Sequence, residues 1–212
     1  MLSKIWIQIT IALFASTIFL TSIVTGQSID ESGLQWISGA SSAVILILLV
    51  YERWAWRWPL LSKLIEWAGI PIIHGTWKGE LCFERDANDQ SGMITIYVSI
   101  NQTFSTVRLR SFVATSEAYS ITANIIRPMP TQHQLVYAFH SQAPHNARDN
   151  NRPHDGTAVL AIVGIPVEEI SGSYYNDRLR RGSITLNQHC SKLVESFSQA
   201  ERQTYKTQTS IS

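Results

Sequence analysis

Arginine dominates the basic residues in the C-terminal part of this chain. Between residues 75 and 190, nine of the ten basic side chains are arginine, and ten acidic side chains balance them. A planar guanidinium binds a phosphate or a carboxylate through two hydrogen bonds and stays charged when partly buried, whereas lysine is a hydrated point charge. The bias therefore indicates recognition of a phosphate or a carboxylate group.

Two groups of residues combine arginine with side chains that suit a nucleotide. Arg108 and Arg110 lie two residues apart and so share one face of a strand. The second group is the run 174–178, Tyr-Tyr-Asn-Asp-Arg, followed by Arg180 and Arg181. Guanidinium groups bind phosphates, aromatic rings stack on bases, and amides or hydroxyls bond to base edges. The alternative is that a tyrosine packs in the core and the arginines pair with Glu117, Asp155 or Asp177.

Three histidines and two aspartates lie in or beside the polar stretch 143–155, namely His140, His145, His154, Asp149 and Asp155. No HExxH, His-x-His or paired-cysteine spacing defines a metal site among them. No serine stands in a G-x-S-x-G elbow, and no glycine-rich phosphate loop precedes a helix. We therefore predict that the protein is not an enzyme and holds no metal or cofactor. A hydrolase or nuclease that uses these histidines is the alternative.

The composition of the chain gives no sign of several kinds of binding partner and site. The formal net charge is +1 over 212 residues, so charge does not indicate binding to a nucleic-acid polymer. Cys82 and Cys190 are too few for a disulfide framework or a thiolate metal site.

From residue 75 onward the hydrophobic pattern has a period of two, which is typical of strands. The run 93–101 is the clearest, with isoleucine or valine at every second position. Strands are predicted at 76–83, 93–101, 103–115, 118–126, 134–141, 156–163, 170–176 and 183–188. About eight short strands with no convincing helix between them predict an all-β antiparallel barrel or a sandwich. A barrel of that size can hold one small ligand, with the stretch 143–155 as its lid.

Two apolar runs open the chain, at 5–24 and 34–50. A helix that crosses a bilayer needs about 20 apolar residues, so we predict a hairpin of two transmembrane α-helices over residues 1–52. Tryptophan and arginine alternate in the following segment, 53–73, and predict an amphipathic juxtamembrane helix. The barrel domain is expected over 74–190 and a polar tail over 191–212, beginning with a short helix.

The positions of the basic residues predict the orientation of this hairpin. Lys4 precedes the first run, Arg53 and Arg57 follow the second, and the connection between the runs carries only acidic charges. By the positive-inside rule, both termini and the barrel should be cytoplasmic, with the hairpin in a bacterial inner membrane. The alternative is a cleaved signal peptide over residues 1–26.

Several short motifs in a fixed order carry a resemblance to a known family. They are Gly75-Thr-Trp-Lys-Gly79, Ile100-Asn-Gln-Thr-Phe-Ser-Thr-Val-Arg108, Thr115-Ser-Glu117, His154-Asp-Gly-Thr157 and Ile170-Ser-Gly-Ser-Tyr-Tyr-Asn-Asp-Arg178. Behind a membrane hairpin, this order resembles the two-transmembrane β-barrel effectors of bacterial cyclic-oligonucleotide-based antiphage signalling (CBASS). The resemblance covers the chain as far as about residue 190.

The resemblance implies a receptor for a cyclic dinucleotide that a partner nucleotidyltransferase makes. In that family the ligand enters the barrel, the protein forms homo-oligomers, and the transmembrane segments disrupt the inner membrane, which causes abortive infection. The alternative is a membrane-anchored barrel that serves as a scaffold or carrier for a lipid, a peptide or a protein.

Three roles in binding the ligand are assigned on this basis. For the phosphates the candidates are Arg108, Arg110 and Arg178. For stacking on a base they are Trp77, Tyr137 and Tyr175. For polar contacts to base edges they are Thr115, Ser116, His154 and Asn176.

Overall fold

The computed structural model describes residues 11, 15, 16, 31–67, 69–84, 91–142 and 152–207. The chain divides into two compact units. The first comprises Met1–Ser62 with Thr103–Ser105, and the second comprises Lys63–Gln102 with Thr106–Ser212.

Helices make up the N-terminal part of the described chain. Helix α1 spans Glu31–Arg53, a 3-10 turn follows at Ala55–Arg57, and helix α2 spans Pro59–Trp67. Proline suits the first position of α2 because the missing N–H has no partner within the helix there. Among the described residues, no helix combines the length and the hydropathy needed to cross a bilayer. Almost all of the run 5–24 lies outside the described residues, and the two spans stay a prediction.

The C-terminal end of α1 is fixed within the first unit by one carboxylate. Atom Oε1 of Glu52 accepts hydrogen bonds from the hydroxyl groups of Thr103 and Ser105, both at 2.6 Å, and from the backbone nitrogen of Ser105 at 3.1 Å. Residues 103–105 are therefore not a strand, although the sequence predicts a strand from 103 to 115.

Eight antiparallel strands form the second unit. They are β1 (Gly75–Glu84), β2 (Gly92–Gln102), β3 (Val107–Val113), β4 (Ser116–Met129), β5 (Gln132–Gln142), β6 (His154–Val163), β7 (Glu169–Asn176) and β8 (Arg181–Cys190). Neighbouring strands pair in chain order, and β1 also pairs with β8, which closes the sheet into a barrel. The predicted antiparallel barrel is confirmed.

Two glycines let neighbouring strands approach closely. At Gly79, where the register of β1 against β8 shifts, a Cβ atom would overlap the carbonyl of Thr185. At Gly172 of β7, a Cβ atom would overlap the carbonyl of Val159. Any larger residue at either position would force two strands of the barrel apart.

Apolar side chains fill one end of the barrel. Every second residue of each strand points inward, as the alternating burial of β5 and β6 shows. The most completely buried members of this core are Ile73, Trp77, Val98, Ile100, Leu135, Ala158, Leu160, Ile170 and Leu186. Burial of each of the larger side chains stabilises the fold by roughly 1.5–3 kcal/mol.

Residues 71–74, which we call the strap, are held against this filled end by the buried side chain of Gln102. Its amide nitrogen donates to the carbonyl of Pro71 at 3.1 Å, and its amide oxygen accepts from the backbone nitrogen of Ile73 at 2.7 Å. Its backbone nitrogen donates to Nδ1 of His74 at 3.2 Å. One residue of β2 thus satisfies several polar groups of the strap.

Two ring nitrogens complete the attachment of the strap. The indole nitrogen of Trp77 donates to the carbonyl of Ile73 at 2.9 Å. Nε2 of His189 lies 3.0 Å from the carbonyl of His74, so this nitrogen carries the proton and donates it. Burial lowers the pKa of His189, which keeps the ring neutral.

The C-terminal segment packs on the outer face of the barrel. Helix α3 (Phe197–Glu201) begins at Ser196, whose hydroxyl accepts from the backbone nitrogen of Gln199. This helix lies within the tail 191–212, for which the sequence predicts a short helix. Strand β9 (Lys206–Thr207) then pairs with β8, a strand that the sequence analysis does not include. The side chains of Tyr97 and Phe112 are buried beneath this segment.

Candidate functional site

A cavity of about 320 Å³ occupies the end of the barrel opposite the strap. That volume is within the range of about 300–1,000 Å³ that is typical of small-molecule sites. The turns β3–β4 and β7–β8 and the adjoining ends of β1, β2, β5 and β6 surround it. The barrel is thus filled at one end and hollow at the other.

Charged and polar side chains surround the opening of this cavity, and we call them the rim. They are Thr115, Ser116, His154, Arg178 and Arg180; Glu117 also borders the cavity, but its carboxylate pairs with Arg110. The turns β3–β4 and β7–β8 are four strands apart in an eight-stranded barrel, so they face each other across the opening. Both rim arginines lie on the β7–β8 side, which makes that side cationic.

The side chain of Asn176 shapes the turn that carries the two arginines. Its oxygen accepts from the backbone nitrogen of Arg178 at 3.1 Å and from that of Arg180 at 3.0 Å. The backbone nitrogen of Asn176 donates to the carbonyl of Arg180 at 3.0 Å. Such side-chain bonds replace helix or ladder bonds in a turn. They also hold Leu179 at a φ of 58°, which leucine rarely adopts.

His154 lies half-buried at the rim. Burial lowers its pKa, and the charges of Arg178 and Arg180 lower it further, against the opposing effects of the carbonyl of Arg152 and the charge of Asp177. The ring is therefore neutral at pH 7 while the cavity is empty.

Beneath the rim, the lining is uncharged; we call this part the interior. It contains aromatic rings, aliphatic side chains and hydroxyl groups, principally Phe83, Ser111, Tyr137, Phe139, Ser141 and Tyr174. The ring centroids of Tyr137 and Phe139 are 6.0 Å apart and tilted by 49°. A cationic rim above an aromatic, hydroxyl-bearing interior suits a ligand that has both anionic and planar parts.

Six of the ten predicted site residues line the cavity, namely Thr115, Ser116, Tyr137, His154, Asn176 and Arg178. Two of them also have contacts within the protein. Asn176 uses its side-chain oxygen within its own turn instead of presenting it to a base. Tyr137 forms part of the floor of the cavity, where the lining merges with the core.

The predicted phosphate contacts Arg108 and Arg110 lie on the outer face of β3, outside the cavity. Leu109, between them, is buried in the core, and alternation along the strand turns both arginines outward. Nη2 of Arg110 lies 3.2 Å from Oε2 of Glu117. Its guanidinium carbon lies 5.2 Å from the ring centroid of Phe112. Arg110 therefore pairs with a carboxylate of the protein, which is the alternative that the sequence analysis gives for these arginines.

The predicted stacking residues Trp77 and Tyr175 also lie outside the cavity. Trp77 is 1% exposed at the filled end, where its ring lies 4.6 Å from that of His189. Tyr175 is 58% exposed, because its neighbour Tyr174 points into the barrel and adjacent residues of a strand face opposite sides.

Several lining residues are not among the predicted ones. Ser111, Phe139, Ser141 and Tyr174 occupy inward positions of their strands, which alternation with buried neighbours would have identified. Arg180 belongs to the second arginine group of the sequence analysis but is not among the predicted phosphate contacts, since nothing in the run fixes which arginines point inward.

Histidine and carboxylate side chains do not assemble into a metal site in the described part of the chain. There, no group of three or more histidine, cysteine, aspartate or glutamate side chains could hold an ion. Nδ1 of His140 is 2.6 Å from Oδ1 of Asp155. His145, Asp149 and most of the predicted lid at 143–155 lie outside the described residues.

Comparison with known proteins identifies similar sequences. Residues 68–188 match the family model described as "Cap15, cyclic dinucleotide receptor domain". The CD-NTase-associated protein 15 of Staphylococcus schleiferi is 31% identical over 178 residues, which cover 82% of this chain and 90% of that protein. The matched region begins directly after α2 and includes all the cavity-lining residues.

Proposed function

Because this chain belongs to the Cap15 family of cyclic dinucleotide receptors, which act in CBASS antiphage defence, we propose that its barrel cavity binds a cyclic dinucleotide. The observation that carries this proposal is the division of the cavity into a cationic rim and an uncharged, aromatic interior. A cyclic dinucleotide has two anionic phosphates and two planar bases, which match the two parts.

The rim supplies the groups that a pair of phosphates requires. Arg178 and Arg180 come from one turn, and Asn176 fixes the shape of that turn before any ligand arrives. Side chains that are already positioned lose less conformational entropy on binding. Each charge-assisted hydrogen bond contributes roughly 1.5–3 kcal/mol, so a few of them give useful affinity.

We further propose that ligand binding drives the chain to form homo-oligomers whose transmembrane helices disrupt the bacterial inner membrane. The apolar runs 5–24 and 34–50 and the flanking basic residues support this arrangement, with the barrel and both termini in the cytoplasm. A near-complete switch requires a ligand that favours the active state by about 5.5 kcal/mol. The protein acts by binding and assembly, with no chemical turnover.

A binding measurement on the purified full-length chain tests the proposal. A panel of cyclic dinucleotides is screened for an increase in unfolding temperature, and positive ligands are measured by calorimetry. We expect Arg178→Ala and Arg180→Ala each to weaken binding about ten- to a hundredfold, and Arg108→Ala, on the outer face, to leave it unchanged. A chain that ignores the whole panel would overturn the proposal and favour the scaffold or carrier alternative.

A further inference from the structure

The floor of the cavity contains a hydroxyl group that the fold does not use. Tyr137 belongs both to the core cluster and to the cavity lining, and only 5% of the residue is exposed. Among the described residues, its hydroxyl group has no hydrogen-bond partner, and its ring contacts that of Phe139. Burial raises the pKa of Tyr137, so the hydroxyl keeps its proton.

A hydroxyl group in this position needs an explanation. At the floor of a narrow cavity a hydroxyl group loses part of its contact with water and gains no protein partner, and phenylalanine would fill the same space without that cost. Native proteins pair nearly all of their buried polar groups, and exceptions occur where a ligand or water supplies the partner. The packing of the barrel therefore requires the ring of Tyr137 but not its oxygen.

Two serines add hydroxyl groups to the same side of the interior. Ser111 of β3 and Ser141 of β5 are both aligned with Ala118 of β4, so the three residues form one row across the sheet. All three line the cavity, and neither serine hydroxyl has a hydrogen-bond partner among the described residues. Tyr137 lies four residues before Ser141 in β5, nearer to the core.

The chemistry of the interior selects the kind of group that enters it. No side chain of the interior is charged, so a phosphate there would lose its water without gaining a cation. Aromatic walls and hydroxyl groups instead suit a planar, uncharged group with hydrogen-bonding edges. A nucleobase has these properties, while the phosphates stay at the rim.

We propose that Tyr137 is a base-selecting residue whose hydroxyl group, together with those of Ser111 and Ser141, bonds to the edge of a base inserted into the barrel. This inference rests on the proposed function and adds that bases are read in the interior. The hydroxyl group discriminates among bases because a base that cannot pair with it leaves it unsatisfied.

Substitution of Tyr137 tests the inference on the full-length chain. We expect Tyr137→Phe to leave the unfolding temperature of the free protein unchanged or higher, because it removes a buried hydroxyl that has no protein partner. It should weaken binding of the tightest ligand among cyclic di-AMP, cyclic di-GMP and cyclic di-UMP about three- to tenfold, and change the order of preference among the three. Tyr175→Phe, on the outer face, is the matched control and should change nothing.

The serines provide an independent measurement. Ser141→Ala should also alter the order of preference, whereas Arg178→Ala should weaken all three ligands by a similar factor, since every cyclic dinucleotide has the same phosphates. The same order of preference in Tyr137→Phe, Ser141→Ala and the unsubstituted chain would overturn the inference and leave the proposed function intact.

Two other results would also count against it. Loss of stability in Tyr137→Phe would show that the hydroxyl has a structural partner, and would overturn the inference. Failure of the unsubstituted chain to bind any of the three ligands or any other cyclic dinucleotide would overturn the proposed function, and this inference with it.

Discussion

Oδ1 of Asn176 lies 3.0 Å from the backbone nitrogen of Arg180 and accepts its hydrogen bond. The same oxygen accepts from the backbone nitrogen of Arg178. One amide therefore fixes the backbone on both sides of Leu179, and with it the points from which the two arginines extend.

Asn176→Ala should disorder this turn while leaving the barrel folded. Two hydrogen bonds disappear, each of which contributes about 0.5–1.5 kcal/mol, so we expect the free energy of unfolding to fall by about 1–3 kcal/mol. Affinity for a cyclic dinucleotide should fall as well, because the arginines lose their fixed positions. Asn176→Asp retains the acceptor and should recover most of the stability in denaturant titrations. Equal stability of the alanine and aspartate variants would contradict this role.

Ligand affinity should depend on pH through His154. Its pKa in the free protein is lowered mainly by burial, and a bound phosphate would raise it by favouring the protonated ring. Binding then takes up a proton, so affinity should increase as pH falls through the pKa of the complex toward that of the free protein. Calorimetry in buffers of different ionisation enthalpy measures the proton uptake. His154→Gln should abolish it, and uptake that persists in this variant would assign the proton to another group.

The stability of the barrel should also depend on pH, through His189. Burial lowers the pKa of His189 in the folded state below its unfolded value of about 6.5. Below that unfolded value the unfolded chain binds a proton more readily, so the free energy of unfolding should decrease as pH falls. His133 and His154 have lowered pKa values with the same sign. His189→Gln can still donate to the carbonyl of His74, and denaturant titrations from pH 7.5 to about 5 should show a weaker pH dependence for it. An unchanged pH dependence of the free energy of unfolding would show that His189 is not the group responsible.

Gln102 should be among the most sensitive positions for stability. Gln102→Ala would leave the backbone nitrogen of Ile73 and the carbonyl of Pro71 without their partner in a buried environment. Each unsatisfied group costs about 1–3 kcal/mol, so for the two groups we expect a loss of about 2–6 kcal/mol in the free energy of unfolding. The exposed neighbour Asn101 provides the control. Asn101→Ala should change the free energy of unfolding by less than about 0.5 kcal/mol. Similar losses in the two variants would show that the amide does not hold the strap.

The barrel could be predicted from sequence because its strands alternate strictly. Isoleucine or valine at every second position of β2 indicates an inward face, and large apolar side chains alternate in the same way over Leu135, Tyr137 and Phe139 of β5. Contacts that link distant residues could not be predicted this way. The first residues of the predicted third strand instead bond to Glu52, about 50 positions earlier, and no local pattern signals that.

The site could be predicted in part, and the errors at three of the four predicted residues that lie outside the cavity share one cause, whereas Trp77 faces inward but lies at the filled end of the barrel. Arg108 and Arg110 have the right chemistry for a phosphate. Leu109, which lies between them, points inward, so both arginines point outward. The pair Tyr174 and Tyr175 poses the same choice, and only the register with β6 and β8 decides which ring enters the barrel. Residue type indicates what a side chain can bind, whereas the parity of its strand position decides whether it reaches the cavity.

The strap has a kinetic consequence. Since packed side chains block the far end of the barrel, a ligand bound as proposed would leave through the open end, which Arg178 and Arg180 border. We therefore expect the residence time of the ligand to depend on the β7–β8 turn. Substitutions near Trp77 should change the stability of the fold without changing this residence time.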